Sequence, residues 1–186
     1  MASFDYIARV VNNLTNKFDT CDPFEICDEL GIKIRYKDLG AKIKAYYCYA
    51  SRIPSIVINN RASERFLRIL VAHELGHDRL HRELARQQVL YERDMFNRAS
   101  AIEFQANVFA AELFFEDDEI IEQFKDEDKT FFSTAQEFNM PPELLDFKFR
   151  AMRHRGYDID SPILARGDFL RKDFEGFFEG YFEDDC

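Results

Sequence analysis

Apolar residues at Ile7, Val10, Val11, Leu14 and Phe18 recur at the i, i+3, i+4, i+7 spacing that buries one face of a helix. Asp22-Pro23-Phe24-Glu25 then supplies an N-cap, a proline at the first helical position and a capping-box glutamate, and Ile26, Leu30 and the stop at Gly31 complete a short second helix. From Gly31 the period changes to two. Ile32, Ile34 and Tyr36 alternate with Lys33, Arg35 and Lys37, and two further β-rich runs follow at 43–49 and 55–60. Short runs joined by short loops, with no helix between them, predict a small and largely antiparallel three-stranded sheet. The helical period returns at about 63–80, where Phe66, Ile69, Leu70, His73, Gly76, His77 and Leu80 form one stripe and Leu67, Val71 and Leu75 cover much of the remainder. A helix apolar on most sides belongs at the centre of the fold. Helices at about 100–115, 118–124, 130–138 and 142–155 complete an α+β pattern with C-terminal helices.

Composition narrows this picture without changing it. The 186 residues are 46% hydrophobic and 32% charged, which suits one globular domain with a proper core. The net charge is −10, and residues 173–186, with six acids and no base, account for −6 of it. That sign opposes general binding to phosphate backbones or to membrane surfaces. No run approaches the roughly 20 apolar residues of a membrane span. Asp5 stands where a signal peptide would place its apolar stretch, so a cytoplasmic protein is expected. Cys21, Cys27, Cys48 and Cys186 lack Cys-x-x-Cys spacing and read as free thiols, with a Cys21–Cys27 bridge as the structured alternative.

The chemistry sits on the central helix. His73-Glu74-Leu75-Gly76-His77 places two imidazoles one turn apart, about 6 Å along the axis, so both can converge on one cation while Glu74 reaches a water as general base. His81 is about 12 Å from His73 along the same axis, too far to share that cation, and reads as a supporting, packing or surface residue. The third ligand must come from elsewhere, and Glu103, 26 residues after His77, is the leading candidate. It shares a helix face with Ala106, Asn107 and Ala110, whose small side chains permit close packing on Gly76, and Asn107 could hold a ligand imidazole in one tautomer. Two alternatives stay open at this level. Ser100-x-x-Glu103 is also a capping box, and Glu112 could be the ligand from the opposite side of the helix.

His73-Glu-Leu-Gly-His77-Asp-Arg-Leu-His81 followed by Glu103-x-x-Ala106-Asn107-x-Phe109-Ala110-Ala111-Glu112-Leu113 resembles the ImmA/IrrE family of zinc metallopeptidases, cytoplasmic enzymes of phages, mobile elements and bacterial stress regulation. The resemblance runs from Asp22-Pro23 to about Tyr157. It implies a small gluzincin-like α+β domain over residues 1–157, zinc held by His73, His77 and Glu103, and Glu74 as catalytic base. It also implies an anti-repressor whose substrate is a helix-turn-helix (XRE-like) repressor. Residues 158–186 are left as an acidic, aromatic C-terminal tail. Family members often follow the second motif with Met-Pro, where this chain has Phe114-Phe115-Glu116.

Three expectations remain to be placed. A substrate strand would add to an exposed sheet edge, with 43–49 and 55–59 as candidates. Tyr91, His154 and Tyr157 are candidates to face the oxyanion of the tetrahedral intermediate. Finally, 131–155 reads as helix, turn and helix, with Lys148, Arg150, Arg153 and Arg155 on the second helix. Direct nucleic-acid binding there is the rival reading, disfavoured by the net charge and by the core-like Leu144, Leu145, Phe147, Phe149 and Met152. A regulator that binds a repressor without cutting it, keeping zinc as a structural ion, is the other.

Overall fold

Ser3 opens the first helix, α1 (Phe4–Phe18), by accepting the Tyr6 amide at 3.3 Å, and Ile7, Val11 and Leu14 form its buried stripe. Asp22 caps α2 (Pro23–Glu29) in the same way, taking the amides of Phe24 and Glu25. Gly31, at φ 67°, turns the chain into β1 (Lys33–Lys37), and β2 (Ala45–Ala50) and β3 (Ile53–Asn59) follow. Five helices follow among the described residues: α3 (Glu64–Gln87), α4 (Phe96–Phe114), α5 (Asp117–Gln123), α6 (Phe131–Glu137) and α7 (Pro142–His154). The computed structural model describes residues 2–41, 43–87, 96–125 and 128–163. The acidic stretch 173–186, Tyr91 and Cys186 lie outside them.

The class is α+β, with a mixed sheet in the order β1-β3-β2. β2 and β3 form an antiparallel hairpin, but β1 runs parallel to β3, from Lys33 opposite Ser55 to Lys37 opposite Asn59. The reason lies in β3. Ile56, Val57 and Ile58 are buried on both faces, so this strand gains most from two neighbours and takes the centre. β1 and β2 therefore flank it, and the link between them crosses over instead of folding β2 back beside β1. Ser51 (φ 52°) and Arg52 (φ 65°) make the two-residue hairpin turn in the left-handed region without a glycine or asparagine, which leaves the sequence without its usual hairpin signal. Pro54 fits the strand because it lies just before the ladder with β1 begins, where its missing N–H is not needed.

α3 occupies the middle. It packs on β2 and β3 to one side and on α4 to the other, and α4 in turn carries α1 and α7. Gly76 sets how closely α3 and α4 meet: a Cβ there would stand 3.1 Å from Phe109 Cβ and 3.2 Å from Ala106 Cα.

α6 and α7 do form a helix-turn-helix shape, but α7 is a core element. Leu144, Leu145, Phe147, Phe149, Ala151 and Met152 are buried, and the four basic residues of this region are paired. Lys148, 2% exposed, sits 3.0 Å from Glu112 and 2.7 Å from Asp117, and Arg155 meets the same two carboxylates at 2.8 and 2.7 Å. Arg150 pairs with Asp146 and Arg153 with Asp160. Each of these cations is thus matched to a carboxylate of the chain itself. Cys21, Cys27 and Cys48 are free thiols, so the Cys21–Cys27 bridge is not formed.

Gly76→Ala should destabilise the fold by about 1–3 kcal/mol, because the backbone of Ala106 cannot yield as a flexible side chain would, and urea unfolding measures it. Lys148→Ala leaves Glu112 and Asp117 with Arg155 alone and should cost about 1–3 kcal/mol in the same assay. Burial would raise the Asp117 carboxyl, but Lys148 and Arg155 outweigh it and hold it below the usual range. Its contribution is therefore present above the unfolded value of about 4 and is lost as pH falls through the folded one. Acid unfolding of Asp117→Asn should accordingly show a shallower loss of stability below that pH than the parent chain.

Candidate metal centre

Helical spacing puts His73 and His77 on the face of α3 that meets α4, with ring centroids 4.8 Å apart and the rings nearly perpendicular. Their Nε2 atoms approach to 3.2 Å. Glu103, from α4, brings Oε2 to 3.1 Å from His73 Nε2 and Oε1 to 3.6 Å from His77 Nε2. One donor atom from each of the three residues thus falls within 4.8 Å of the others. Tetrahedral ligation at about 2.0–2.1 Å needs donors separated by about 3.3 Å, so two imidazoles and a carboxylate at these distances fit zinc.

The surroundings prepare each donor. Asn107, wholly buried, places its Oδ1 at 2.8 Å from His73 Nδ1. An amide oxygen only accepts, so His73 keeps a proton on Nδ1, and Nε2, the nitrogen nearest His77 and Glu103, is the one left to bind a metal. On the other nitrogen of His77 stands His81, with the two Nδ1 atoms 3.2 Å apart, and Gln105 Oε1 lies 2.9 Å from His81 Nε2. Burial, opposed by the Gln105 hydrogen bond, takes the His81 imidazole down to about 4, so it is neutral at ordinary pH. Burial alone would raise the Glu103 carboxyl, but the hydrogen bonds from His73 and His77 win and hold it far below the carboxylate range. Glu74 moves the other way. Burial pushes its carboxyl up, with the two histidines only partly offsetting the shift. For His73 burial would lower the imidazole, but the hydrogen bond to Glu103 raises it.

β2 covers this cluster. The Tyr47 hydroxyl donates to Asp78 Oδ1 at 2.7 Å, and the Tyr47 backbone amide hydrogen-bonds Glu74. Asp78, 1% exposed, is gripped by Arg82 at 2.6 Å and by Arg79 at 2.8 Å. One residue therefore ties the sheet edge to the helix through both its side chain and its main chain. Asn59 N–H donates to Lys44 O at 2.8 Å, which fixes the phase of the ladder and turns the backbone groups of Ala45, Tyr47 and Tyr49 away from β3. Of the two candidate edge runs, 43–49 supplies this outer strand and 55–59 is interior.

The remaining sequence candidates separate cleanly. α4 begins at Phe96, so positions 100 and 103 lie inside the helix and not at its N-terminus. Glu112 is committed to Lys148 and Arg155 at the far side of α4. His154 contacts Phe4 and Asp5, and Tyr157 packs on the apolar core. Sequence reasoning missed Gln105 and the Tyr47–Asp78–Arg82 cluster. Only the charge pair Asp78/Arg82 at i, i+4 was visible beforehand.

Among the described residues no helix is long and apolar enough to cross a membrane. A family model for the IrrE N-terminal-like domain of peptidases matches residues 27–150. A protein of Bacillus phage phi105, described as uncharacterized immunity region protein 2, is 30% identical over 145 residues, covering 78% of this chain and 90% of that protein. With two thirds of its length matched by the family model and a relative aligned along most of both sequences, the chain belongs to the IrrE N-terminal-like peptidase family.

Proposed function

We propose that this chain is a zinc-dependent endopeptidase that cleaves a helix-turn-helix repressor or a related regulatory protein. The observation that carries the reading is the convergence of His73, His77 and Glu103 beside the buried Glu74. In this reading His73, His77 and Glu103 would hold zinc, and when bound it would supply Lewis-acid chemistry to water and to the scissile carbonyl. Glu74 would be the base that takes a proton from the attacking water and passes it to the leaving amine. Its raised carboxyl makes it a stronger base than an exposed glutamate. Asn107 keeps the His73 ring in the ligating tautomer. The outer edge of β2 is where substrate backbone would add as a strand, with the outward-facing groups of Ala45 and Tyr49 on either side of the Tyr47 amide that Glu74 engages.

The relative's description as a phage immunity region protein supports a repressor as substrate. The pairing of Lys148, Arg150, Arg153 and Arg155 within the chain supports a protein target over a nucleic acid. The chain would act in the cytoplasm, where such repressors work.

Incubation with the helix-turn-helix repressor encoded beside it should give a discrete cut that chelator abolishes. Glu74→Gln should slow that cut by about 100-fold or more while retaining zinc. A stable repressor complex, formed alike by the parent chain and Glu74→Gln and never cleaved, would establish the non-cutting regulator instead. Metal analysis checks the ligands: Glu103→Ala should lose zinc and Glu112→Ala should keep it, and full retention by the first removes Glu103 from the site.

A further inference from the structure

His81 is buried, lies outside the His-Glu-x-x-His motif, and cannot reach the point where His73, His77 and Glu103 meet. Its contacts nevertheless have a forced polarity. The main-chain carbonyl of Ala2 can only accept, so Gln105 turns its Nε2 to it at 3.0 Å and must aim Oε1 the other way, at His81 Nε2, 2.9 Å distant. That amide oxygen also only accepts, so the His81 proton sits on Nε2 and its Nδ1 carries a lone pair. The lone pair faces His77 Nδ1 at 3.2 Å, which must then be the protonated nitrogen. What remains on His77 is Nε2, directed at His73 Nε2 and Glu103, as the nitrogen available to a metal.

We propose that His81 and Gln105 are positioning residues that, through a relay ending on the Ala2 carbonyl, lock His77 in the Nδ1–H tautomer and so present Nε2 to the metal. The role toward metal rests on the zinc reading above; the tautomer assignment rests on the hydrogen bonds alone. An imidazole with no such partner can carry its proton on either nitrogen, and the Nε2–H form is no ligand. The two histidines are thus served differently. His73 is held by one amide from α4, whereas His77 is held by a chain through α3, α4 and the residue before the α1 cap, so docking of α1 and the geometry of the site are linked.

The test compares zinc affinity, by chelator competition at fixed pH, in the parent chain, His81→Leu and His81→Gln, with thermal unfolding of the metal-free proteins to confirm folding. His81→Leu removes the acceptor and should weaken zinc binding by about 10- to 100-fold. His81→Gln restores an oxygen that can accept from His77 Nδ1–H and should recover most of that loss. A packing role predicts the reverse order, because leucine suits a buried site better than glutamine. Equal affinity of His81→Leu and the parent, or a glutamine variant no better than the leucine one, overturns the proposal. Ring nitrogen chemical shifts of the metal-free parent chain give a reading that needs no variant to fold. If His77 is Nδ1–H there but the chain takes up no zinc, the relay stands and the metal reading falls. If zinc binds but metal-free His77 carries its proton on Nε2, the relay falls and the metal reading stands.

Discussion

The structure depends on the close approach of α3 and α4 at Gly76. Every side chain that converges on the candidate site comes from one of these two helices, so the separation of their axes fixes the distances between His73, His77 and Glu103. Gly76 faces Ala106 and Phe109 so closely that a methyl group would fit only if they gave way, and the wholly buried Ala106 and Ala110 continue the small surface on the other side. A larger residue at this contact would have to widen the gap, and a shift of one ångström is enough to spoil a ligand set. The same contact explains why polar groups survive at the centre of the domain. Packed this tightly, the helices exclude water, and each buried polar atom needs a partner across the seam. Asn107 meets His73 and Gln105 meets His81 across this seam.

The sheet is a second frame on the opposite side of α3. Tyr47 anchors it by its hydroxyl to Asp78 and by its amide to Glu74, so the outer strand and the proposed base share one backbone position. Asp78 itself needs Arg79 and Arg82 to be tolerable at nearly complete burial. An ion cluster that looks purely structural thereby decides where the sheet edge stands relative to the histidines.

Much of this was legible from periodicity. The i, i+4 pair on a helix apolar on most sides located the site, and the small residues following Glu103 indicated which face would meet it. What the sequence could not show arises from pairings between distant segments. The parallel placement of β1 follows from competition among three strands for the central position, which no single run encodes. The Ser51-Arg52 turn adopts positive φ with residues that carry no such preference. Gln105 lies two positions from Asn107, off the face of α4 that the Glu103 period marks out, and becomes relevant only because His81 projects to meet it. The cations around α7 teach the same lesson in reverse. Clustered along the sequence they suggest a nucleic-acid surface, and folded they neutralise Glu112, Asp117, Asp146 and Asp160.

Charge balance at the centre adds a final argument. Glu74 is buried and Glu103 is only partly open, yet the groups that act on them most strongly are His73 and His77, not a lysine or an arginine. Two carboxylates beside two neutral imidazoles would leave an uncompensated double negative charge in a region shielded from water, an arrangement that costs several kcal/mol per ion. The chain's own groups relieve it only by shifting protons, with Glu74 and His73 raised and Glu103 lowered. The Lys148 cluster faced the same problem and solved it with fixed cations. Here the Nε2 atoms of His73 and His77 are both turned toward the carboxylate, the arrangement a divalent cation would need. A charge of +2 at that point would neutralise Glu103 and an ionised Glu74 together. It would thereby let Glu74 remain a carboxylate, the form in which it can accept a proton.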